Sequence, residues 1–332
     1  MPTSLKTSLS AWIVTSGEAG HRTQARGLAL AVAGEAREFT VDLRAPWRYL
    51  PGDKVPFALT GLTSDSDRPT APWPDLVVSS GRRAAAVALA IRRAGQGKTV
   101  AVHVPDPHID PAAFDLVVCL NHDPASGPNV LSLATAVHDL TPAKLDEAAS
   151  VWRERLRAPG RSLIGVLLGG ATHHRALSVI QWGRMFADLD ALRRATGARL
   201  AITPSRRTSP EVRALLTTRF GDDPDTFLWD MTGDNPYRGI LALSDRLVVT
   251  SDSVSMVSEA LATQASVEVY GRPGSPRHVR FIDQLIDCGL LRPFTGDPVP
   301  GTVNGPINAT DVAATRVREL LRARLGLELA TA

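Results

Sequence analysis

The run Arg246-Leu-Val-Val-Thr-Ser-Asp-Ser-Val-Ser-Met-Val-Ser-Glu259 passes from an apolar strand through a hydroxyl-rich turn into a helix. Residues 246–249 have the character of a buried strand. Beyond the turn, Val254, Val257, Ala260 and Leu261 are spaced for one apolar helical face. Ser255 and Glu259 lie four apart and share another face. A helix N-terminus carries backbone N–H groups without helical partners, which suit an anion. A carboxylate one turn further in can accept hydrogen bonds from sugar hydroxyls. The combination fits a nucleotide or nucleotide sugar better than a bare phosphate.

Outward from this run, short β-rich segments alternate with longer Ala/Leu/Arg segments, the rhythm of βα units on a parallel sheet. Strands are expected at 11–15, 38–43, 75–79, 99–104, 115–120 and 129–133, with helices at 21–33 and 82–94. An amphipathic helix over 141–156 ends at Ala158-Pro-Gly160, and the rhythm then restarts. The second series has strands at 163–168, 199–203, 226–229, 246–250 and 266–270. Its helices fall at 175–196, 210–219, 236–243, 254–263 and 276–288. The expected division is therefore 1–157, 158–300, and a linker with a terminal helix over 301–332. The fold class is α/β, with two Rossmann-like doubly wound domains in tandem. Ligands in such folds sit at the carboxyl ends of the strands.

Composition narrows the function classes. The chain has 332 residues, 44% of them hydrophobic, enough for two ordinary cores. Aromatics make up only 5%, which argues against a stacking groove for single-stranded nucleic acid. The formal net charge of +3 is small and spread out, so no nucleic-acid partner is expected. The two cysteines show no metal spacing and suit a reducing, cytoplasmic setting. The N-terminal residues lack a signal-peptide core, and no apolar run is long enough to span a bilayer. Peripheral membrane contact through Arg-rich surfaces stays open.

Five further segments fall where strands give way to helices. Ser16-Gly-Glu-Ala-Gly-His21 pairs Gly17 and Gly20, which permit a tight turn, with His21 or Glu18 as a general base; an ordinary βα turn is the plainer reading. Ser79-Ser-Gly-Arg-Arg83 offers a helix start beside arginines. Leu168-Gly-Gly-Ala-Thr-His-His174 resembles a diphosphate-binding turn through Gly169 and Gly170. Thr203-Pro-Ser-Arg-Arg-Thr-Ser-Pro210 carries Arg206 for phosphate charge, with Ser209 as the N-cap before Pro210. In Trp229-Asp-Met-Thr-Gly-Asp-Asn-Pro-Tyr237, Asn235 is the expected N-cap and the aromatic end could meet a base.

Other patterns mislead. Gly95-Gln-Gly-Lys-Thr99 lacks the first P-loop glycine, since Arg92 stands there, and it precedes a strand instead of following one. His103, Asp106, His108 and Asp110 can be drawn as a metal cluster, but the Pro-rich spacing argues for an extended loop and no metal site is expected. Asp106 remains a second base candidate. Neither a Gly-x-Ser-x-Gly elbow nor a dinucleotide glycine fingerprint is present.

Taken in order, the segments at 16–21, 45–48, 80–83, 168–170, 203–207, 229–230, 233–237 and 250–260 resemble the mitochondrial-fission "elongated mitochondria" family, which has many bacterial members. The resemblance runs from about Trp12 to Phe294. It implies a GT-B-like architecture, two Rossmann-like domains facing across a cleft, with a nucleotide-diphosphate sugar held mainly by the second. By this resemblance Glu259 holds the donor ribose and Gly169-Gly170 the diphosphate. Ser251, Ser253 and Ser255 at the helix start are further expected phosphate contacts, Arg206 is expected to balance the leaving charge, and His21 or Asp106 to accept the acceptor's proton. The glycines that usually precede the ribose carboxylate are replaced here by Ser251, Asp252 and Ser253. The expected activity is a metal-independent sugar transfer with the nucleotide sugar as substrate, no tightly bound cofactor, and an acceptor that could be membrane-associated. The rivals are a non-catalytic scaffold recruited to membranes or partners, and a nucleotide-sugar epimerase.

Overall fold

The computed structural model describes residues 9–171, 177–301 and 305–326. Among the described residues, two six-stranded, wholly parallel sheets account for the strands. The first contains β1 (Ala11–Thr15), β2 (Arg37–Thr40), β3 (Leu76–Ser80), β4 (Val100–His103), β5 (Leu116–Leu120) and β6 (Val130–Leu133), in the order β2-β1-β3-β4-β5-β6. The second contains β7 (Leu163–Leu168), β8 (Arg199–Pro204), β9 (Thr226–Leu228), β10 (Arg246–Thr250), β11 (Ser266–Tyr270) and β12 (Arg292–Pro293), in the order β12-β11-β10-β7-β8-β9. β1, β3, β7 and β10 are buried along their whole length, as strands covered on both faces must be.

The helices are α1 (Ala19–Ala33), α2 (Arg82–Ala94), α3 (Pro142–Leu156), α4 (Val179–Thr196), α5 (Pro210–Phe220), α6 (Tyr237–Leu243), α7 (Val254–Leu261), α8 (Pro276–Asp287) and α9 (Ala309–Leu325). Local chemistry marks their starts. Thr141 and Ser209 cap α3 and α5 with proline following, and Ser178 with Gln181 forms a capping box on α4. On α4, Trp182, Met185, Phe186, Leu189 and Leu192 repeat at helical spacing and bury against Ile164, Val166, Leu200 and Val248. Among the described residues, no helix is long and apolar enough to cross a membrane.

The compact units are cut differently from the strand–helix rhythm. One comprises residues up to Asp139 and from Asn308 onward; the other is Leu140–Ile307. Packing explains both shifts. α3 precedes Pro159-Gly160, yet Trp152 on it lies against Gly239 on α6, so close that a β-carbon at 239 would sit 2.4 Å from the indole. α3 therefore belongs to the second unit. α9 returns to the first, where Ala313, Val317 and Leu321 share a core with Leu28, Ala29 and Val32 of α1. Arg324 adds an ion pair to Asp115, which also accepts from Arg92 Nε at 2.9 Å and Nη2 at 2.8 Å. Burial pushes the Asp115 carboxyl up, but Arg92, the Ala101 N–H and Arg324 together outweigh it and hold the group below the usual carboxylate range.

His103 closes β4 fully buried, its Nδ1 2.8 Å from the Ser79 hydroxyl. Burial, with smaller contributions from nearby His21 and His108, lowers its pKa to about 3. The imidazole is neutral in the folded chain at physiological pH. The unfolded chain binds this proton near 6.5 and the folded chain only near 3, so stability is lost as pH falls through that window.

Two predictions test this packing. Gly239→Ala gains about 1 kcal/mol of helix propensity but overpacks Trp152 at a cost of roughly 1–3 kcal/mol, so its urea midpoint falls. Gly183→Ala on α4 meets nothing within 4 Å, so its midpoint rises by the equivalent of about 0.5–1 kcal/mol. For His103→Gln, urea midpoints measured from pH 7 to pH 5 decline less than those of the parent chain; parallel curves would mean that His103 does not titrate in this way.

Candidate functional site

Each sheet has one place where the winding reverses. In the first it lies between β1 and β3, which are neighbours in the sheet but lead toward opposite edges; in the second it lies between β7 and β10. Loops at the carboxyl ends of such strand pairs splay apart and leave a crevice for ligands. The segments at 16–21 and 80–83 fall at the first reversal, and those at 168–170 and 250–253 at the second.

In the first unit, Gly17 adopts φ +86° and Gly81 φ +97°, conformations that favour glycine. The lack of a side chain at 81 lets Ser16 and His21 close in: a β-carbon there would lie 2.8 Å from the Ser16 hydroxyl and 3.1 Å from His21 Nδ1. Gly20 sits in the first turn of α1. His21 is half-buried, with Nδ1 3.5 Å from a Glu18 carboxylate oxygen, longer than a firm hydrogen bond. Asp106 is buried and turned into its own loop, accepting the His108 N–H at 2.8 Å. Of the three base candidates, His21 is the one held at the reversal by both turns. His103, which sequence reading had grouped with a metal-like cluster, lies near enough to His21 for their charges to interact. Among the described residues, no group of three or more His, Cys, Asp or Glu side chains is placed to hold a metal.

In the second unit, the glycine turn is closely packed by the chain itself. Gly169 N–H donates to the Thr250 hydroxyl at 2.7 Å, and Gly170 N–H to an Asp252 carboxylate oxygen at 3.1 Å. The Gly169 carbonyl accepts from the Ser205 hydroxyl at 3.1 Å and from the Thr208 hydroxyl. Arg207 pairs with Asp252 at 2.7 Å, while Arg206 is exposed and has no ion-pair partner among the described residues. Ser251 is buried and its N–H extends the ladder to Tyr270; Ser253 spends its hydroxyl on the Met256 N–H as the cap of α7; Ser255 is half-buried on the first turn. The cavity lined by Gly170, Thr250, Ser251, Asp252, Tyr270 and Arg272 has room for a water molecule rather than a diphosphate.

Glu259 is buried on α7, and the Tyr237 hydroxyl donates to its carboxylate. Tyr237 stands at the head of α6, where Pro236 occupies the cap position and Asn235 accepts the Tyr237 N–H at 2.9 Å. The segment 229–237 thus meets the segment 250–259, a link that spacing alone does not reveal. The nearby Trp229 donates to the Thr232 carbonyl and folds its loop on itself. His173 and His174 lie outside the described residues.

Known proteins resemble this chain at two levels. The Methanocaldococcus jannaschii UDP-GlcNAc 2-epimerase matches with a TM-score of 0.57 and 10% identity, covering 94% of this chain and 99% of that one. The glycosyltransferase SnogD from Streptomyces nogalater matches with a TM-score of 0.50 and 15% identity, covering 96% of each. At such identities the likeness establishes the fold alone, the GT-B type. In sequence, the mitochondrial fission protein ELM1 of Arabidopsis thaliana is 31% identical over 279 residues, or 76% of this chain. The chain spans 65% of that protein's length, just under two thirds. The family model described as Mitochondrial fission ELM1 matches residues 19–321, and this chain belongs to that family.

Proposed function

We propose that the second unit binds the nucleoside part of a nucleotide-diphosphate sugar and that the chain acts as a metal-independent GT-B-type sugar transferase. The observation that carries this reading is the Tyr237–Glu259 pair. A buried carboxylate fixed by a phenol hydroxyl, one helical turn beyond the β10 reversal, is a preorganised acceptor for the paired hydroxyls of a ribose. Arg206, exposed and without an ion-pair partner among the described residues, is available to offset the charge of a leaving diphosphate.

In such a transfer the acceptor oxygen bonds to the anomeric carbon as the bond to the diphosphate breaks. The acceptor proton passes to a base, for which His21 is the strongest candidate. The titration of His103 to about 3 keeps that neighbour uncharged, so it adds no positive charge beside His21 near neutral pH.

A second reading has its own support. The glycine-turn N–H groups already have partners in Thr250 and Asp252, as suits a scaffold that keeps the fold without the chemistry.

Calorimetry against nucleoside diphosphates and their sugars tests the binding. Glu259→Ala is expected to weaken the bound nucleotide at least tenfold, about 1.4 kcal/mol, and Tyr237→Phe by roughly 0.5–1.5 kcal/mol. Equal affinity in the parent and Glu259→Ala chains, or no binding to any of the panel, would remove the donor site. Where binding holds, release of free nucleoside diphosphate that disappears in His21→Ala marks an enzyme, and an inert bound sugar marks the scaffold.

A further inference from the structure

Asp252, in the turn between β10 and α7, lies beside Gly169-Gly170. The carboxylate lies against Gly169 so closely that a β-carbon on that residue would sit 2.1 Å from one of its oxygens. It accepts the Gly170 N–H at 3.1 Å and is paired with Arg207 at 2.7 Å. It is mostly buried, with 18% of its side chain exposed. A backbone N–H at a glycine turn and a guanidinium are the groups that a protein uses to hold a phosphate. Here they hold an anion that belongs to the chain.

We infer that Asp252 is a specificity-determining residue of the second unit: its carboxylate occupies the anion position at the Gly169-Gly170 turn, and a phosphoanhydride enters that position only after the carboxylate has swung away. The inference deepens the donor-site reading, because it concerns the same turn. It follows from charge and from space. A second anion cannot share the Gly170 N–H with a carboxylate, and like charges at contact distance repel strongly in a partly buried setting. Gly170 cannot retreat, since a β-carbon there would lie 1.9 Å from the Arg207 carbonyl oxygen, which shows how firmly the turn is seated. The cap of α7 is independent of Asp252, being made by the Ser253 hydroxyl on the Met256 N–H. Substituting Asp252 therefore empties the anion position without uncapping the helix. Arg207 is left without its carboxylate partner, turned toward the space the incoming group would fill.

Inorganic pyrophosphate in metal-free buffer is the probe, since it carries neither ribose nor base. Titration calorimetry compares the full chain with Asp252→Gly and Asp252→Asn, each checked by thermal melting. The asparagine variant is nearly the same size, so it keeps the test alive if the glycine variant melts early. Both variants are expected to bind pyrophosphate at least tenfold more tightly than the parent, and adding Arg207→Ala to Asp252→Gly is expected to cancel the gain. Parent affinity equal to or above that of the variants would overturn the inference, as would failure of all of them to bind. The donor-site reading fails separately. A chain that gains pyrophosphate on loss of Asp252 but takes no nucleoside diphosphate keeps this inference and loses that reading. A parent chain that binds nucleoside diphosphates through Glu259 with no gain in either Asp252 variant does the reverse.

Discussion

The parallel pairing of β7 with β10 is the constraint on which the polar cluster of the second unit depends. Ile164 to Leu167 run beside Arg246 to Val249, and the connections leave toward opposite edges of the sheet. Two turns that are distant in sequence end side by side, near enough for Gly169 to reach Thr250 and Gly170 to reach Asp252. The pairing of β1 with β3 does the same for Ser16, His21 and Gly81 in the first unit. In both units the polar groups are where they are because the winding reverses there, with helices covering the rest of each sheet.

The two reversals are furnished in opposite ways. The first gathers a half-buried His21, the buried His103 with its Ser79 contact, and Gly81, whose lack of a side chain lets Ser16 and His21 close in. The second gathers full charges that offset one another, Asp252 with Arg207, alongside a buried carboxylate held by a phenol.

Much of this was legible in the residues. The βα rhythm, the capping by Ser209 before Pro210 and the apolar stripe of α9 are local, and local signals survive folding. Glu259 stood out because a carboxylate four residues from a serine on a helix start is a spacing signal. Tyr237 did not, since only the tertiary fold brings the head of α6 to α7. α3 looked like part of the first half because nothing near it in sequence shows that Trp152 will rest on Gly239. Asp252 registered as a missing glycine, whereas its importance lies in where its carboxylate goes. His103 was hidden by the acidic and imidazole groups that follow it; the usable signal was a histidine ending an apolar strand.

The return of α9 to the first unit makes that unit discontinuous in the chain, with the second inserted between its parts. On a ribosome, residues 140–307 emerge together and can complete their core as soon as they are clear. The first unit has its strands and α1 long before then, but the stripe of Ala313, Val317 and Leu321 that packs with α1 follows residues 140–307 in the chain. Since domains fold as they are synthesised, the unit that starts first is finished only after the second has emerged, and until then Leu28 and Val32 lack their partners on α9. The order of synthesis and the order of completion therefore run opposite ways in this protein.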